Sequence, residues 1–137
     1  MRLFGQACFL TMVLGASGTV TAQEGFGEAE YMNSCAQCHG ADGTGSGPMA
    51  GYLTTSLPDL TMLSADNGGI FPVERVYEVV DGRADIGPHG SREMPAWGMR
   101  YTYDAEARPM IDYAPAPEAQ ARVRILSLVE YLAGMQK

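Results

Sequence analysis

Cys35-Ala36-Gln37-Cys38-His39 places two thiols and an imidazole within five positions, and the glycine-rich run from Gly40 to Pro48 follows at once. Three chemistries use such a group. Zinc needs four ligands, and Cys35, Cys38, His39 and His89 supply that number. However, Cys38 and His39 are neighbours that rarely reach one tetrahedral ion together, and there is no second CxxC pair. Dithiol exchange places its CxxC at a strand-to-helix junction in a βαβ pattern, and no strand pattern flanks this one. Covalent haem attachment needs one cysteine for each of two vinyl groups. It also needs a histidine immediately after, so that the imidazole meets the iron from one face. CxxCH is that arrangement.

Three segments read as helices that position this group. Gly27-Glu28-Ala29-Glu30-Tyr31-Met32 leads into Cys35, with acidic residues in the first turn where the helix dipole favours them. From Pro72 to Val80, residues Val73, Val76, Tyr77 and Val80 recur at helical spacing, Pro72 suits a first helical position and Gly82 ends the run. From about Pro117 to Leu132, the stripe is Ile125, Leu128, Val129 and Leu132, with Gly134 just beyond. Residues 40–71 and 81–116 hold most of the glycine and proline and read as long loops, a length that usually signals function. Three short helices make a thin core, which a bound group would fill.

The chain has 137 residues, room for one small domain. Arg2, the apolar run Cys8 to Leu14 and the small residues Val20-Thr21-Ala22 read as a signal peptide over residues 1–22, with a single domain at 23–137. That run is too short to cross a bilayer in the usual way, so an uncleaved anchor is the poorer reading and no span is expected after cleavage. The leader agrees with the motif, because such haems are attached outside the cytoplasm. A periplasmic location is therefore expected. Cleavage removes Cys8 and Arg2 and takes the net charge from −7 to −8. Lys137 is the only lysine, so nucleic acid is a poor partner. The acidic surface suits a redox partner with a basic docking patch.

From Gly27 to Met135 the chain resembles the class I c-type cytochromes. The resemblance rests on CAQCH and on several residues in the expected order. Gly27 and Tyr31 match a glycine and aromatic pair on the first helix, which would pack against Leu128 and Tyr131 on the last. Pro48 matches a loop proline whose carbonyl meets the proximal histidine. The resemblance implies a small all-α cytochrome c fold, with three or more short helices and long loops wrapped around one covalent haem c. Cys35 and Cys38 would hold the haem, and His39 would bind its iron.

The family's other axial ligand is a methionine in a downstream loop. Met94, in Glu93-Met94-Pro95-Ala96-Trp97-Gly98, fits that place better than Met99 or Met110, and Met49 and Met62 lie too early. A core-filling role is the ordinary alternative for Met94. His89 is its competitor as a ligand, and a bis-histidine site would lower the reduction potential relative to Met/His coordination. Around the haem, Trp97 is expected to reach a propionate or the haem face. Arg83 is expected to neutralise a propionate, with Arg92 and Arg100 as alternatives, and Tyr52 and Leu60 to form pocket wall. Residues 100–117 exceed what a minimal member needs, as a docking surface or a covering loop.

The function implied is single-electron transfer between redox proteins, without enzymatic activity. Saturation of the iron by His39 and Met94 leaves no place for a small-molecule substrate. The alternative is a haem c electron-accepting subunit of a periplasmic oxidoreductase or dehydrogenase complex. A ligand-binding sensor is the third option and needs a labile Met94.

Overall fold

A computed structural model describes residues 22–84, 94–107 and 115–137. The elements in chain order are α1 (Ala22–Ser34), α2 (Ala36–His39), a 3-10 turn at Ala50–Tyr52, another at Leu60–Met62, α3 (Leu63–Asp66), α4 (Val73–Asp81), α5 (Trp97–Ala107) and α6 (Pro117–Gly134). Among the described residues there is no strand, so the all-α expectation holds. No described helix is long and apolar enough to cross a membrane. The expected leader, residues 1–21 of it, lies outside the described residues.

The three expected helices form with shifted ends. α1 begins five residues before Gly27, and Pro72 caps α4 instead of opening it. Gly82 ends α4 in the left-handed conformation at φ +88°. There the Glu78 carbonyl accepts from the amides of Gly82, Arg83 and Ala84 at 3.0, 3.0 and 3.1 Å. α6 starts at Pro117 as expected and continues past Leu132 to Gly134.

α1 crosses α6 at Gly27. A Cβ at this position would run into the backbone carbonyl of Ser127, so only glycine allows the close approach. One turn later, the Tyr31 and Tyr131 rings meet with centroids 5.3 Å apart, and Tyr31, Ile125 and Leu128 are fully buried. The expected pairing of Gly27 and Tyr31 with Leu128 and Tyr131 is therefore present. Truncating a residue such as Leu128 to alanine typically costs about 2–5 kcal/mol.

The interval 81–116 is not all loop. Eleven of its residues form α5, which packs on α6 and α4. Trp97, Met99, Tyr101 and Tyr103 alternate like a strand, and that period hides the helix. The buried residues are Trp97, Gly98 and Tyr101, whereas Met99 is 78% exposed. Thus residues 100–107 of the supposed docking or covering loop are helix, with Tyr101 only 1% exposed in the core.

α5 and α1 both pack on α6, and a partly buried ion pair lies where they do. The Arg124 guanidinium on α6 donates to both carboxylate oxygens of Glu30 on α1, at 2.9 to 3.1 Å. Its carbon lies 3.9 Å from the centre of the Tyr101 ring. Glu30 is buried and also accepts from the Ser34 hydroxyl at 2.9 Å.

Candidate cofactor site

α1 stops at Ser34, and Cys35 begins a new turn. Its amide still donates to Tyr31, while its carbonyl accepts from Cys38 and His39 at 3.1 and 2.9 Å. The single turn of α2 sets Cys35, Cys38 and His39 at i, i+3 and i+4, the spacing that brings side chains onto one helix face. Local sequence alone thus gathers the three groups.

Both cysteines are half-buried free thiols. Burial pushes the Cys35 thiol up to about 12, and the charge of Glu30 and then Cys38 add to the shift. An uncharged thioether suits the same surroundings. His89, required by both the zinc and the bis-histidine readings, lies outside the described residues.

His39 is buried, and burial lowers its pKa, so the imidazole is neutral, the form in which histidine ligates a metal. Its Nδ1 is shut away from solvent with no hydrogen-bond partner. A buried polar atom without a partner is rare and calls for a reason. The expected acceptor, the Pro48 carbonyl, does not take this bond here, although Pro48 is held beside α2 by both its neighbours.

The glycine run has a role that composition does not reveal. α2 ends with carbonyls that no further helical turn can satisfy. The loop folds back and covers them with its own amides. Ala36 accepts from Gly40 at 2.9 Å, Gln37 from Met49 at 2.9 Å, Cys38 from Gly47 at 3.0 Å and His39 from Gly45 at 2.8 Å. The Tyr31 hydroxyl donates to the Gly40 carbonyl at 2.6 Å. Such an approach excludes side chains: a Cβ on Gly47 would lie 2.5 to 2.7 Å from three carbonyl oxygens.

A second layer anchors the loop to α6. The Leu60 amide donates to the Gly43 carbonyl at 2.7 Å. Past α6, the Gln136 side chain donates to the carbonyls of Leu60 and Leu132, and its Oε1 accepts from the Ser64 amide at 2.8 Å. None of this was legible in the residue pattern.

The more distant expectations fare unevenly. Met94 is half-buried against the core, and Pro95 is exposed. Met99 faces outward, and Met110 lies outside the described residues. Trp97 is buried at the start of α5, 5.7 Å from the Tyr101 ring, with Arg100 over its ring. Arg83 is engaged elsewhere: it pairs with Asp81 and lies 5.5 Å over the Tyr77 ring. Leu60 is half-buried against the core. Tyr52, in the turn at Ala50–Tyr52, is 82% exposed. Arg92 lies outside the described residues.

The donor set therefore fits a covalent haem: two half-buried free thiols and a neutral buried imidazole with an unpartnered nitrogen, all on one turn. The family model for cytochrome c oxidase, cbb3-type, subunit III matches residues 22–113, from α1 through α5 and including CAQCH. No curated protein and no solved structure gives a match. The match spans more than half of the chain, and a cytochrome c domain means haem-based electron transfer. The chain therefore belongs to the cytochrome c oxidase, cbb3-type, subunit III family and is built as a c-type cytochrome domain.

Proposed function

We propose that the chain is an exported, periplasmic monohaem cytochrome c that passes single electrons between redox proteins. The observation that carries this reading is the one-turn helix that brings Cys35, Cys38 and a buried, neutral His39 together. When bound, haem c supplies the one-electron Fe2+/Fe3+ couple. The protein's residues set its attachment, ligands and surroundings. Cys35 and Cys38 would hold the group through thioethers, and His39 and Met94 would bind its iron. Ligation by a methionine and a histidine would raise the potential relative to two histidines. The capped turn from Gly40 to Met49 keeps His39 in one orientation, and the Pro48 carbonyl would take up Nδ1 in the loaded protein. Trp97 and the core of α5 and α6 exclude water.

With His39 and Met94 both bound to the iron, no position would be left for a substrate, which favours a carrier over an enzyme. The acidic surface steers a partner that presents a basic patch, and such steering weakens as salt rises. The family's description as an oxidase subunit favours a second reading, in which the chain serves as the haem c subunit of a membrane or periplasmic oxidoreductase complex. Co-purification at fixed stoichiometry supports that reading, and a free monomer at all concentrations counts against it. The ligand assignment is tested by the ferric visible spectrum. The weak red band of iron–methionine bonding is expected in the wild type and absent in Met94→Ala; a band that survives the substitution refutes Met94.

A further inference from the structure

We infer, on the reading of Met94 as second axial ligand, that Arg124 is a positioning residue that holds the Met94 side of the site against the His39 side. Glu30 lies five residues before Cys35 on the helix that runs directly into the attachment turn. Tyr101 lies on α5, which begins three residues after Met94. These two helices pack chiefly on α6. The Arg124 guanidinium grips both, donating to both oxygens of Glu30 at 2.9 to 3.1 Å and stacking on the Tyr101 ring at 3.9 Å. Asp104 on α5 approaches the same guanidinium at 3.8 Å.

Two features argue that this is more than a helix-crossing contact. The α1–α6 crossing is already fixed by Gly27 against Ser127 and by the Tyr31–Tyr131 ring pair. The ion pair is therefore redundant for that crossing, and what it adds is α5. The buried Tyr101 hydroxyl also faces Ser34 and Glu30 of α1, so its ring sits in the same α1–α5–α6 junction that the guanidinium fills. A planar guanidinium can fork onto a carboxylate and stack on an aromatic at once, which lysine cannot do. Buried pairs often add little net stability, and fixing one arrangement is a recognised use for them. Loosening this one frees α5, and with it the segment that carries Met94.

The test uses haem-loaded protein. Arg124→Met alone strands the Glu30 charge and can fail to fold, so the double variant Glu30→Gln/Arg124→Met is measured beside it. Two signals are followed on heating: the ferric red band and the far-ultraviolet helix signal. In the wild type they should be lost together. In the double variant the band should disappear well before the helices melt. Carbon monoxide should bind the reduced variant about tenfold faster or more, the factor equivalent to about 1.4 kcal/mol. Arg124→Lys should fall between the two. If the double variant loses band and helices together and binds carbon monoxide within about twofold of the wild-type rate, Arg124 is merely structural and the inference is overturned. Met94→Ala separates the premises: a red band that persists there refutes the Met94 reading itself, and this inference with it.

Discussion

Replacing Gly47 by alanine should loosen the turn that carries His39 without altering any side chain that binds the cofactor. Gly47 is not among the glycines with positive φ, so backbone strain does not enter. The effect comes from the added methyl alone. It would lie 2.5 Å from the Gln37 carbonyl oxygen, 2.6 Å from that of Cys38 and 2.7 Å from that of Ala36. Real Cβ atoms essentially never come so close, so the loop must back away. Backing away stretches three bonds: Gly45 to His39, Gly47 to Cys38 and Met49 to Gln37. At about 0.5–1.5 kcal/mol for each, the expected loss is about 2–4 kcal/mol. For a domain of this size that lowers Tm by on the order of 10 °C. Gly51→Ala is the internal control, since a Cβ there meets nothing within 4 Å. It should leave stability unchanged or raise it by up to about 1 kcal/mol. Guanidinium unfolding of the loaded proteins, followed by helix signal, measures both. If Gly47→Ala unfolds at the same midpoint as Gly51→Ala, the glycine loop is not capping the attachment turn.

Tyr31→Phe keeps the ring against Tyr131 but removes the donor to the Gly40 carbonyl. That carbonyl still accepts from Gly43, so the expected cost is about 1 kcal/mol in unfolding free energy. A loss above about 3 kcal/mol would show that the hydroxyl does more than this one bond. Gln136→Ala severs the bonds to Leu60, Leu132 and Ser64 together. It should cost about 1–3 kcal/mol and speed amide exchange at Ser64 before it does so in the middle of α6. The buried phenols of Tyr31 and Tyr101 are raised well above the ordinary tyrosine value, chiefly by burial. Their contribution is complete below about pH 10 and is lost above it, where the unfolded chain ionises and the folded one does not. Denaturation midpoints from pH 8 to 11.5 should stay level and then fall; a rise above pH 10 contradicts the burial of these phenols.

What the sequence disclosed follows from the range of the interaction concerned. CAQCH was legible because one helical turn gathers its three groups without help from the rest of the chain. α4 and α6 were legible because their apolar residues recur at helical spacing between proline and glycine boundaries. α5 was missed because its aromatic residues alternate, and only the packing of Trp97 and Tyr101 selects which side faces in. The Glu30–Arg124 pair joins residues far apart in sequence, so topology alone brings them together. Arg83 found a partner two residues away, which a search for distant propionate contacts passes over. The glycine run was legible as a flexible turn, whereas its amides act as the caps of α2, a role set by three-dimensional return of the chain.

The most direct test of the central claim is covalent haem retention by purified full-length protein, made in a host that matures c-type cytochromes. Intact mass and acid extraction should show one haem per chain that resists extraction. Retention should weaken in Cys35→Ala or Cys38→Ala and be lost when both are replaced. Haem that is wholly extracted from the wild type, or retained after both cysteines are replaced, would contradict the account.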